Sequence, residues 1–157
     1  IPALATKRVE ALIGGFINHE KVLLEREGYS VRHFPFHDYG VPDYYELVLV
    51  MHPQVLEEKR VQVEAFWRAA QRAQQEVQQH PEEALDILFQ HQDQTFPLER
   101  EIEAKSLEIL LPLMQPEEGS FGHQEAHKWQ EVADWLHQIG AIPQRIDTAD
   151  TFVLLQP

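Results

Sequence analysis

The residues best suited to chemistry in this sequence lie in one short run, Gly14-Gly15-Phe16-Ile17-Asn18-His19-Glu20. An aromatic ring, an amide and a carboxylate at alternate positions supply an apolar platform, a group that both donates and accepts hydrogen bonds, and an anionic acceptor. They follow the apolar run Ala11-Leu12-Ile13, closed by two glycines, and so stand at the end of a predicted strand, where open α/β sheets place ligands. Each has a plainer role as well: Phe16 as core, Asn18 as a helix N-cap, Glu20 as a first-turn anion on the helix dipole. His19 reads as structural or solvent-facing.

Two other groups have suggestive spacing. Phe36, His37, Asp38, Tyr39, Tyr44 and Tyr45 surround Gly40 and Pro42, a pairing that suits a hinge because one tolerates unusual φ and the other fixes it. Aromatic residues there could rim a cleft, with hinge packing as the bland alternative. His123 and His127, four apart on an expected helix with Glu125 and Glu131 nearby, have a spacing that can hold zinc. They lack the His-Glu-x-x-His pattern, and a polar helical face is the better reading, so no metal is expected.

The elements that must position these residues begin as alternating strand and helix. Strands are predicted near residues 9–15, 31–36 and 46–51, the last being Glu46-Leu47-Val48-Leu49-Val50-Met51, stopped by Pro53; a helix carrying Val22, Leu23 and Leu24 ends at Gly28. From Glu57 the period changes to helical, with Phe66, Ala70, Ala73 and Val77 as an inward stripe. Pro81 opens a second helix on Ala84, Leu85, Leu88 and Phe89. Thr95 is expected to cap a third, with Pro97 in its first turn, and a fourth spans about Gly122 to Ile139 before Gly140. The expected class is therefore α/β, a few mostly parallel strands followed by a helix-rich C-terminal part. Three short strands do not make a sheet with both faces covered, which suggests a fragment of a longer chain.

Composition narrows the function classes. Twenty-six acidic against 13 basic residues leave a formal charge of −13, which repels phosphate backbones and anionic lipid, so nucleic acid is an unsuitable partner. With no cysteine, disulfides, thiolate metal sites and cysteine nucleophiles are excluded.

The run from Gly14 to Glu20 resembles the Gly-Gly-Tyr-Trp-Asn-His-Glu type motif of bacterial receptors for formylated aminopyrimidine, a thiamine precursor, with Phe16 in place of Tyr and Ile17 in place of Trp. Val9 to Gly14 is similar to the strand entering that motif, and Tyr39-Gly40-Val41-Pro42-Asp43-Tyr44-Tyr45-Glu46-Leu47-Val48 to the family's crossover between lobes. Thr95-Phe96-Pro97-Leu98, Ser106 to Pro112, Phe121-Gly122 and Trp129 to Trp135 resemble successive landmarks of its C-terminal helices.

The resemblance implies the C-terminal half of a type 2 periplasmic-binding-protein fold: 1–38 closing the second lobe, 39–45 as hinge crossover, and 46–157 as the C-terminal part of the first lobe. It implies a substrate-binding component of an ABC importer, not an enzyme, with no cofactor. Its partners would be a small-molecule aminopyrimidine and a transporter permease, and its location periplasmic or extracellular, with a lipid anchor on the full-length protein. Phe16 would pack on the ring, Glu20 would receive the amino hydrogen, and Asn18 would orient or cap nearby. Tyr39, Gly40 and Pro42 would belong to the cleft or hinge. A homodimer through apolar surface left by the missing lobe is a further expectation. The alternatives are an α/β interaction module without ligand binding and a fragment of a pyrimidine-synthase-type enzyme; the latter is disfavoured because those enzymes carry a cysteine-rich motif.

Overall fold

Helices account for all the regular structure that a computed structural model assigns, which describes residues 1–116 and 119–155. They are α1 (Pro2–Ala5), α2 (Glu20–Arg26), α3 (Pro53–Glu58), α4 (Arg60–Gln79), α5 (Pro81–His91), α6 (Arg100–Leu113) and α7 (Ala126–Gln138), with a 3₁₀ turn over Phe36–Tyr39. The expected α/β class is therefore corrected: no strand occurs among the described residues.

The physical reason lies in what a strand requires. Its N–H and C=O groups need a neighbouring chain about 4.8 Å away, and β propensity in a single segment cannot provide one. Residues 46–51 make no backbone–backbone hydrogen bond among the described residues, and Leu47 and Val50 are 91% and 82% exposed. Residues 9–15 and 31–35 are likewise irregular backbone, with Ile13 84% exposed, and Phe36 opens the 3₁₀ turn.

The chain divides into two compact units, one of residues 1–33 and 73–117, the other of residues 34–72 and 118–157. In the first, α2 and α5 both pack on α6, burying Val22, Leu24, Leu85 and Ile102. Proline at the first turn of α5 costs nothing because that N–H would be unpaired anyway, and Arg100 at the start of α6 lies 2.7 Å from Asp86 and 3.2 Å from Glu82 of α5. The cap of α6 is Glu99, not Thr95; the Thr95 N–H instead donates to Asp93 Oδ1 at 2.7 Å in a local turn that keeps Pro97 outside the helix.

In the second unit the start of α4 presents Trp67, whose ring stacks on Phe121 at 5.9 Å between centroids. Phe66, expected inside, is 60% exposed; the inward stripe is set one residue later, at Val63, Trp67, Ala70 and Gln71. Gln71 is buried and donates to the Phe121 carbonyl at 3.1 Å. Trp129 of α7 packs on Tyr45 and stacks on Phe152, and so holds α7 against loop segments where the sequence suggested a sheet. Gln130 receives the backbone N–H and hydroxyl of buried Thr148 at 3.2 and 3.1 Å, which seals residues 145–148 onto α7.

Candidate functional site

The Gly14 to Glu20 segment leads directly into α2, whose first residue is Glu20. The Glu20 carboxylate turns back along the chain, and Phe16 N–H donates to its Oε2 at 2.8 Å. The His19 and Lys21 N–H groups both donate to the Phe16 carbonyl at 3.3 Å, so the backbone is folded around residue 16. Its ring stays half exposed.

Burial, the largest influence on Glu20, pushes its carboxyl up, but the Phe16 and Glu20 N–H groups and neighbouring His19 outweigh it and hold the group below the usual glutamate value. His19 Nδ1 lies 3.6 Å from Glu20 Oε1. The carboxylate is thus ionised at neutral pH and acts only as an acceptor, with lone pairs beyond the one Phe16 uses.

Asn18 does not cap α2. The N-cap position is His19, without a side-chain capping bond, and the Asn18 amide points elsewhere: Nδ2 donates to Ser106 Oγ of α6 at 2.8 Å, across 88 residues of sequence. Ser106 is 7% exposed and was not among the site residues suggested by the sequence. Its signal was there, since a serine four residues after Ile102, on the inward face of α6, is a polar group on an apolar stripe.

Tyr39, Gly40 and Pro42 belong to the other compact unit from Phe16, Asn18 and Glu20. Gly40 ends the 3₁₀ turn at φ 86°, a left-handed conformation that suits glycine, and Tyr39 meets Phe34 edge-on at 6.0 Å. Tyr45 has a packing role: its hydroxyl accepts from Glu125 N–H at 2.9 Å while its ring lies against Trp129. His123 falls outside α7, so it and His127 do not share a helical face, and no group of three metal-ligating side chains occurs among the described residues.

A cavity of about 650 Å³ lies between α2, α5 and α6, floored by Val22, Leu85 and Ile102 and rimmed by Lys21, Glu25 and Lys105. Phe16, Asn18 and Glu20 do not line it. The rim charges are internally paired, Lys21 with Glu25 at 2.6 Å and Lys105 with Glu108 at 2.8 Å.

Comparison with known proteins places this geometry in context. The chain is 40% identical over 96% of its length to a formylaminopyrimidine-binding protein of Halalkalibacterium halodurans, of which it covers 46%. It is 29% identical over 92% of its length to a Haemophilus influenzae protein whose name refers to thiamine biosynthesis, of which it covers 44%. The chain thus spans about half the length of the curated relatives it matches. The family model described as NMT1/THI5 like matches residues 1–84, a stretch that includes the whole Phe16, Asn18 and Glu20 loop, and the chain belongs to that family.

Proposed function

We propose that this chain forms part of the substrate-binding component of an ABC importer, as the C-terminal half of a two-lobed receptor for a formylated aminopyrimidine. The observation that carries this reading is the 40% identity, over 96% of the chain, to a protein named for binding formylaminopyrimidine. The local geometry supports it: a half-exposed aromatic ring at Phe16 and an ionised acceptor at Glu20 meet the two needs of a flat ring bearing an exocyclic amine. Binding without chemical transformation is the function.

In this reading Phe16 packs on the pyrimidine and Glu20 accepts an amino hydrogen through a lone pair that Phe16 N–H leaves free. Residues 39–45, with Tyr39, Gly40 and Pro42 among them, form the hinge crossover. The partners are the importer's permease and, for the isolated chain, a second copy associating through exposed apolar surface. The location is periplasmic or extracellular with a lipid anchor; among the described residues no helix is long and apolar enough to cross a membrane.

Glu20 gives the test, by calorimetry on a polypeptide of the relatives' length that carries this chain. A charge-assisted hydrogen bond is worth about 1.5–3 kcal/mol, so Glu20→Ala should weaken binding of the aminopyrimidine by about one to two powers of ten. Because Glu20 also holds Phe16 N–H, a pyrimidine lacking the amino group should lose affinity too, but several-fold less. Equal losses for both ligands would remove Glu20 as the amino acceptor; no binding by the unaltered receptor would remove the receptor reading.

A further inference from the structure

After Gly140, whose φ of 75° turns the chain, the following segment runs back along α7 with little backbone bonding of its own. From residue 143 to 155 one backbone–backbone hydrogen bond occurs among the described residues, Thr151 N–H to the Thr148 carbonyl at 3.0 Å. Side chains of α7 hold the segment instead, in antiparallel order. Asp134 takes Arg145 through two hydrogen bonds of 2.7 and 2.6 Å, Gln130 donates to the Ile146 carbonyl at 3.0 Å and accepts from Thr148, and Trp129 stacks on Phe152 with the ring planes 15° apart. The same indole packs on Tyr45, whose hydroxyl accepts the Glu125 N–H at 2.9 Å.

We propose that residues 145–152 are a strap that seats Tyr45: by fixing the Trp129 ring, Phe152 sets how firmly the end of the 39–45 segment is held. The indole's polar tether is its Nε1–H, which donates to Gln124 Oε1 at 2.9 Å. One hydrogen bond fixes one atom of the ring and leaves its tilt free, and the stack on Phe152 supplies the tilt. A strap held by side chains opens at lower cost than a helix, because segments with little backbone bonding and few buried contacts lie at the low end of local stability. The inference rests on the receptor reading for its consequence and deepens it: with 39–45 as the hinge crossover, Tyr45 is its anchored end, and bending falls to the stretch around Gly40 and Pro42.

The Glu125 N–H reports on the seat, because it stands at the N-cap of α7, outside the helix's own hydrogen bonds, and the Tyr45 hydroxyl is its acceptor among the described residues. The test is hydrogen exchange read by nuclear magnetic resonance on the 157-residue chain without ligand, in unaltered, Tyr45→Phe, Phe152→Leu and Phe152→Ala forms. Tyr45→Phe removes the acceptor and sets the ceiling rate. Phe152→Ala should speed exchange at Glu125 by about twofold to tenfold, the range of one aromatic pair, while Ala133 and Leu136 within α7 keep their rates. Phe152→Leu keeps apolar bulk without the ring stack, so it should fall between the unaltered and alanine forms, and it carries the test if the alanine form does not fold. Unchanged exchange at Glu125 would show that Gln124 alone holds the indole, and an equal rise at Ala133 and Leu136 would show general loosening of α7; either overturns the proposal. No ligand enters the measurement, so its failure is separate from that of the receptor reading, which the aminopyrimidine titration decides.

Discussion

Gly122 lies against Trp67 of α4, and replacing it by alanine has a cost that can be worked from the geometry. A Cβ built there would lie 2.0 Å from Trp67 Cζ2 and 2.4 Å from Cη2, far closer to the edge of the indole than van der Waals contact allows. That ring is rigid and already stacked on Phe121, so it cannot step aside without losing the aromatic pair. Overpacking of this kind costs about 1–3 kcal/mol. The φ of +84° adds the left-handed penalty of about 1–2 kcal/mol for any residue with a Cβ, giving about 2–5 kcal/mol in all. Gly140 is the control, because its φ of +75° carries the backbone penalty while nothing lies within 4 Å of an added Cβ. At about 2–4 °C per kcal/mol, Gly122→Ala should lower the thermal midpoint by about 4–20 °C and Gly140→Ala by about 2–8 °C. Near-ultraviolet circular dichroism should show the Trp67 environment altered only in the first. Equal midpoints for the two variants would refute the argument, since the steric share would then be absent.

Two further outcomes are expected. The Glu20, Asp93, Glu99, Glu125 and Asp134 carboxyls all titrate below their ordinary values; Glu20 does so against a burial influence that raises it, and the others chiefly through hydrogen bonds from Thr95, Arg26, Lys128 and Arg145 respectively. Depressed folded values contribute stability above the unfolded pKa that is lost as pH falls through the folded one, so thermal midpoints measured against pH should decline below about pH 5; a midpoint that rises on acidification would contradict this. On the proposed receptor reading the isolated 157-residue chain should bind an aminopyrimidine only weakly, because half a cleft cannot supply the enclosure of about 70–90% that small-molecule sites provide, and submicromolar binding by calorimetry would overturn that reading of the site.

What the sequence made legible is what depends on neighbours along the chain. Pro81 marks the start of α5. The turn from Gly14 into α2 is equally local, and so is the four-residue spacing that lets Glu20 reach Phe16 N–H. Failures came where the deciding contact is remote. The run from Glu46 to Met51 has strand composition but no adjacent strand, and composition says nothing about a partner. The stripe of α4 was set one residue early because Phe66 looked more buried than Gln71, whose amide is satisfied by Phe121, 50 residues away. Ser106 escaped notice because its partner lies 88 residues distant, beyond any periodicity.

The bare run from Glu46 to Met51 also governs how this chain behaves in bulk. Four exposed apolar residues and a half-buried Met51, with a single charge and no backbone partner among the described residues, have the composition that stacks into intermolecular cross-β contacts. What opposes stacking is long-range repulsion between copies, each with a formal charge of −13. That repulsion reaches about 10 Å at 0.1 M salt and only about 3 Å at 1 M, whereas the attraction between apolar strips is not screened at all. Ionic strength therefore sets the colloidal fate of the chain: dilute buffer keeps copies apart, and concentrated salt removes the barrier to precipitation while every helix is still intact.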